Sequence, residues 1–136
     1  MSVAVVKRVA RLHLNTLNPV LSTAWENVPF TPPDSIYQRV QFFVHPPEDP
    51  TISDMYYRER VQMQIFINGP AGVGTGDVDT RAELVRSHFN KGLTIVDSTS
   101  GMRIYVLRTP QIAGSQVIKD RVIVPVLINL VGEVYK

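Results

Sequence analysis

The chain contains no cysteine. That excludes disulfides, thiolate catalysis and zinc sites built on sulfur, and it fits assembly in a reducing cytoplasm. Long apolar runs are also missing. The longest, Val122 to Ile128, has the length of a strand and contains Pro125; a membrane-spanning helix needs roughly 20 apolar residues. No basic start followed by an apolar stretch opens the sequence, so a signal peptide is not expected. Charge of one sign is scarce: the net charge is +2 and the basic residues are scattered among acids. Composition therefore carries no nucleic-acid footprint. No Gly-x-Ser-x-Gly elbow appears, no carboxylate pair has a spacing that implies a reaction, and His13, His45 and His88 do not share a metal-ligand spacing.

What is present suits a folded domain. At 136 residues with 44% hydrophobic and 19% charged side chains, the chain is long and apolar enough for one core, expected to span residues 1–136 as a single domain. Val3 to Leu17 reads as a helix, with Val5, Val6, Val9 and Leu12 at three- and four-residue spacing. Asn18-Pro19 ends it, because the residue before proline avoids the α region. An irregular, proline-rich connection then runs to Ser35. Tyr37 to Val44 alternates as a strand that His45-Pro46-Pro47 is expected to break. Tyr57 to Ile67 is the clearest strand, with Val61, Met63, Ile65 and Ile67 on one face.

A glycine-rich loop, Gly69 to Gly76, precedes a second helix from Asp77 to about Lys91. Asp77 is its candidate cap, and Val78, Ala82, Val85 and Phe89 form its apolar stripe. Gly92 is its candidate C′ residue. Leu93 to Val96 and Met102 to Leu107 read as a hairpin, and Arg121 to Val131 as a final strand. The order predicts an α+β fold: a mostly antiparallel sheet of about five strands with two helices packed on one face.

Three features invite a functional reading. The loop Gly69 to Gly76 lies between strand and helix, where backbone amides can hold a phosphate. It lacks the Gly-Lys-Ser/Thr of a Walker motif and has two acids, Asp77 and Asp79, beside it, which favours a flexible or interface loop over a nucleotide site. Trp25, the only tryptophan, suits either a partner anchor or a pin that fixes its loop to the core. Arg58 and Arg60, on the polar face of the clearest strand, suit either a solvated face or an intersubunit salt bridge. The final strand is apolar on both faces, and its Pro125 suggests an edge or a bulge. A bare apolar edge promotes aggregation, so Val124, Val126 and Ile128 are expected either against a neighbouring subunit or beneath the first helix.

One ordered set of segments carries a resemblance. Thr23 to Pro33, Tyr37-Gln38-Arg39-Val40, Tyr56 to Arg60, Arg81-Ala82-Glu83 with His88-Phe89, Arg108-Thr109-Pro110, and Asp120-Arg121 with Val124-Pro125-Val126 together resemble a family of small phage and prophage proteins similar to the tail terminators of long-tailed phages. The resemblance implies a structural, non-enzymatic virion protein without cofactors or bound metal, assembled in the host cytoplasm. It implies a homo-oligomeric, hexameric ring at the head-proximal end of the tail, which stops tube polymerisation. Its partners would be the tail tube protein and the head–tail connector, with no membrane involved. DNA would cross the lumen without specific binding, so a dense basic lining is not expected. Other neck and head-completion proteins of similar size also form rings. A nucleotide-binding protein using Gly69 to Gly76 is the alternative from another class.

Overall fold

In the computed structural model, which describes residues 2–72 and 74–135, two helices lie on one face of an eight-stranded sheet. Helix α1 (Ser2–Asn15) buries Val5, Val6, Val9, Ala10 and Leu14. The N–H groups of Thr16 and Leu17 donate to the carbonyls of His13 and Leu14, a tightened last turn that ends the helix ahead of Pro19. Strand β1 (Thr23–Ala24) runs parallel to β2 (Tyr37–Glu48), and β2 pairs antiparallel with β3 (Tyr56–Pro70). Helix α2 (Gly76–His88) follows, then β4 (Thr94–Val96), β5 (Arg103–Val106), β6 (Gln111–Ile112), β7 (Gln116–Ile118) and β8 (Arg121–Tyr135). Across the sheet the path is β1-β2-β3-β8-β5-β4, with β6 and β7 also on β8.

Strand β8 is therefore central. β3 flanks it from Tyr56 opposite Tyr135 to Pro70 opposite Arg121. β7, β6 and β5 cover its other flank in succession. This corrects the expected edge position. Pro125 directs its carbonyl toward Ala113, whose N–H donates to it at 2.9 Å. The nitrogen of an extended residue points to the same flank as its carbonyl, so the missing N–H of Pro125 faces the break between β6 and β7. There it removes no ladder bond.

The other differences from sequence expectation have local causes. β2 does not stop at Val44; it continues through Pro46 and Pro47 to Glu48, with a register shift after His45. By alternation Pro46 faces the outer flank, where past Ala24 no further strand lies among the described residues, and Pro47 faces β3 within the irregularity between His45 and Glu48, where no residue pair is in register, so neither removes a ladder bond. The cap of α2 is Thr75, without a side-chain cap bond, and Asp77 sits in the first turn. The helix ends at His88, and Gly92, at φ +87°, shapes the turn into β4 instead of capping α2. The sheet exceeds about five strands because β1, β6 and β7 have only two or three residues each.

Both helices meet the same sheet face through one cluster that includes Met63, Ile65, Ile67, Val126 and Ile128. Each rests over a glycine. A Cβ on Gly132 would stand 2.7 Å from Val6 Cγ2, and one on Gly69 the same 2.7 Å from Val78 Cγ1. Any larger residue there would push a helix off the sheet.

Candidate subunit interface

Val124, Val126 and Ile128 are 1%, 0% and 0% exposed. They point into the helix layer, so burial within the chain accounts for their apolarity. Among the described residues no helix covers the opposite face of the sheet, although at one end Phe30 of the proline-rich loop packs on Tyr37. β2 contributes Arg39, Gln41 and Phe43, β3 contributes Arg58, Arg60, Gln62, Gln64 and Phe66, and β8 contributes Ile123, Leu127 and Asn129, as the register requires. Amides form its middle: Gln64 Nε2 donates to Gln62 Oε1 at 2.8 Å, and Gln62 Nε2 to Asn129 Oδ1 at 3.4 Å.

The two arginines singled out from sequence lie on this face in different states. Arg58 is paired within its own chain. Its Nη1 is 2.5 Å from Glu48 Oε1, and its Nε donates to the Tyr56 hydroxyl at 2.9 Å. These bonds, that to Glu48 first, raise its pKa further above the ordinary range. Tyr56 in turn donates to Glu133 at 3.4 Å and packs on Tyr135 with ring centroids 4.6 Å apart. Arg60 is exposed opposite His45 and Val131. Among the described residues no hydrogen bond or ion pair reaches its guanidinium.

Trp25 is partly buried against the core, and it also lines a surface cleft of 600 Å³ with Glu26, Val28, Pro29, Arg39 and Phe42. The cleft follows the outer flank of β2. The N–H of Gln38 donates there to the Ser22 carbonyl at 3.0 Å, and that of Phe42 to Glu26 Oε2 at 3.1 Å. Glu26 thus continues with a carboxylate what β1 begins with backbone. Lys7 Nζ lies 3.4 Å from Glu26 Oε1 and 5.5 Å from the centre of the Phe42 ring. The loop that presents Trp25 is anchored at both ends. Arg81 donates to the Pro19 carbonyl at 2.5 Å and to Gln38 Oε1 at 3.3 Å. Arg121 donates to the carbonyls of Pro33 and Ser35.

Arg81 is a residue that sequence reasoning missed. It is 4% exposed, and among the described residues its Nε has no hydrogen-bond partner. Burial lowers its pKa. Nothing in a helical stripe marks such a residue, because its ligands are backbone and an amide from distant segments. The same holds for His13 and His88. Their rings stack with centroids 4.0 Å apart. His13 Nε2 donates to the His88 carbonyl at 2.8 Å, and His88 Nε2 to the His13 carbonyl at 2.6 Å. Each histidine caps the end of the other's helix, and since carbonyls only accept, both Nε2 atoms carry hydrogen. Burial first, then the neighbouring His88, lowers the pKa of His13, against the raising effect of its bond to the His88 carbonyl. Among the described residues, no three His, Asp or Glu side chains cluster to hold a metal.

The glycine-rich loop, whose Val73 lies outside the described residues, borders a cleft lined by Ser35, Ile36, Gly69, Pro70, Gly74, Asp77, Val78 and Val122. The charge in that lining is a carboxylate, so a phosphate entering it would meet repulsion.

A family model described as phage tail terminator protein matches residues 2–130. The chain belongs to the phage tail terminator family, a component of bacteriophage tails. One solved structure, 21% identical, superposes with a TM-score of 0.72 over 98% of this chain and 94% of its own; at that identity the likeness speaks for the fold. No curated protein sequence matches the chain.

Proposed function

We propose that this protein acts, as a single domain, as a structural ring at the head-proximal end of a phage tail. There it ends polymerisation of the tail tube and offers the head–tail connector its docking surface. Family membership across residues 2–130 is the observation that carries this reading. In this role the protein is not an enzyme. It is assembled in the host cytoplasm and retained in the virion neck. Its subunits are related by head-to-tail contacts, because rings close only through heterologous interfaces. Six copies are expected.

Trp25, Arg58 and Arg60 are the residues proposed for contact with a neighbour or partner. Trp25 lines an open cleft, Arg60 is an uncommitted cation on the uncovered face, and Arg58 stiffens the strand beside it through Glu48. DNA would pass the ring without specific binding, since a lumen dense in Lys and Arg would hold phosphates through counterion release.

Phage lacking the protein should assemble tails of uncontrolled length that fail to join heads, as seen by electron microscopy. Tails of normal length joined to heads in its absence would refute the role. A particle map placing the protein away from the tail axis would do the same.

A further inference from the structure

We propose that the outer flank of β2 receives strand β7 of a second copy of this chain, so that the sheet continues from subunit to subunit; this rests on the ring reading above. Neither flank carries a further strand among the described residues. Beyond Ala24, no strand among the described residues pairs with the outer side of β2, and β7 pairs only with β8. They lie on opposite sides of one sheet, as a head-to-tail contact requires.

Direction and register agree. β2 is antiparallel to β3, β3 to β8 and β8 to β7, so β2 and β7 already run antiparallel within one subunit. An operator that repeats the sheet sideways keeps that relation and brings them together as an antiparallel pair. On β2 the N–H groups of Gln38 and Phe42 point outward, and by alternation so does that of Val44. Val44 lies opposite Val61 and Val117 opposite Val122, which puts both valines on the helix side of the sheet. Neither helix reaches them: Val44 is 45% and Val117 71% exposed. Placing Val44 opposite Val117 covers both. The same register sets Phe43 against Ile118 on the uncovered face, two further apolar side chains left in solvent by the single subunit.

Charge complements this placement. With Val44 opposite Val117, the turn that follows Ile118, where Lys119 stands at φ +57°, arrives beside Phe42, whose outward N–H is taken by the Glu26 carboxylate. Among the described residues Lys119 has no ion-pair partner. From that turn the ammonium of Lys119 would pair with the Glu26 carboxylate. Prolines 46 and 47 keep the added stretch short, limiting promiscuous strand addition.

The cysteine-free sequence makes the test direct. Val44→Cys and Val117→Cys are conservative changes at exposed sites. Virions assembled from the two variants together should yield a cross-linked dimer with a short bis-maleimide, and virions made from either variant alone should yield none. Lys119→Glu should weaken subunit association about tenfold by sedimentation, with an unchanged thermal midpoint. A mixed virion that contains both variants by immunoblot but gives no cross-linked dimer overturns the proposal. So does cross-linking of Val44→Cys to Val96→Cys on β4 in place of Val117→Cys. Absence of the protein from the tail end in a particle map would instead remove the ring reading itself, whatever the cross-linking result.

Discussion

Strands β8 and β2 are both long, both interrupted by proline, and both alternate apolar with polar or half-covered positions. β8 has strands on both flanks and two helices over one face; β2 has β3 on one flank and, for most of its length, solvent on the other. In each, proline stands where no neighbouring strand needs its N–H. In β8 that place is a gap between two short strands. In β2 it is the open side for Pro46 and the irregularity after His45 for Pro47. Proline in a strand therefore reports a missing partner on one flank, and not the strand's rank in the sheet. The contrast also separates two uses of apolar surface. In β8 it builds the core. At the margin of β2 it remains exposed, as Phe43 and Val44 show.

The sharpest way to break this contrast is to cut one side chain from each strand. Ile128→Ala leaves a cavity under both helices and is expected to cost about 3–4 kcal/mol in denaturant unfolding, as for other buried large-to-small changes. A loss near zero would mean that β8 is not the centre of the core.

A smaller effect is expected from acid at the helix ends above that core. The pKa of His13 is lowered from 6.5 in the folded chain. The folded state therefore favours the neutral ring, and the unfolded chain binds more protons as pH falls below 6.5. Stability should be full above that value and decline beneath it until the folded-state pKa is passed. His13→Asn should flatten that part of the pH–stability curve. A wild-type curve already flat between pH 7 and pH 5 would show that stacked histidines do not hold the helix layer. The acidic limb at lower pH belongs to Asp97, held down to about 2 chiefly by hydrogen bonds from Ser100 and then by Arg8.

The least effect belongs to the margin. Phe43→Ser should change unfolding free energy by less than about 0.5 kcal/mol, as for surface substitutions away from packed features. A loss comparable to that of Ile128→Ala would show Phe43 to be part of the folded subunit's own core.

Legibility followed the length scale of each signal. The stripe Val78, Ala82, Val85 and the alternation Val61, Met63, Ile65, Ile67 repeat often enough to be read, and the structure buries all seven residues. Strands of two or three residues such as Thr23–Ala24 and Gln111–Ile112 complete no period, so they form only because a longer strand is there to template them. The apolar run around Val124 to Ile128 was visible, but what covers it was not. Burial within a chain and burial between chains demand the same residues. The pairing of His13 with His88 and the seating of Arg81 on Pro19 and Gln38 join segments far apart in sequence. The Trp25 cleft was legible only as a tryptophan in a long loop, since its wall is β2.

The central place of β8 also governs the order in which the molecule can be made. During translation every strand that β8 binds leaves the ribosome before it. β3 must wait until a partner 79 positions downstream, from Tyr56 to Tyr135, has been synthesised. Pairing over such a separation is slow to form. Until then one flank of β3 is unpaired and the apolar sides of both helices lack half of their platform, surface of the kind that exposes a folding intermediate to aggregation. The core therefore closes late, in one step, when β8 slots between β3 and the short strands that precede it.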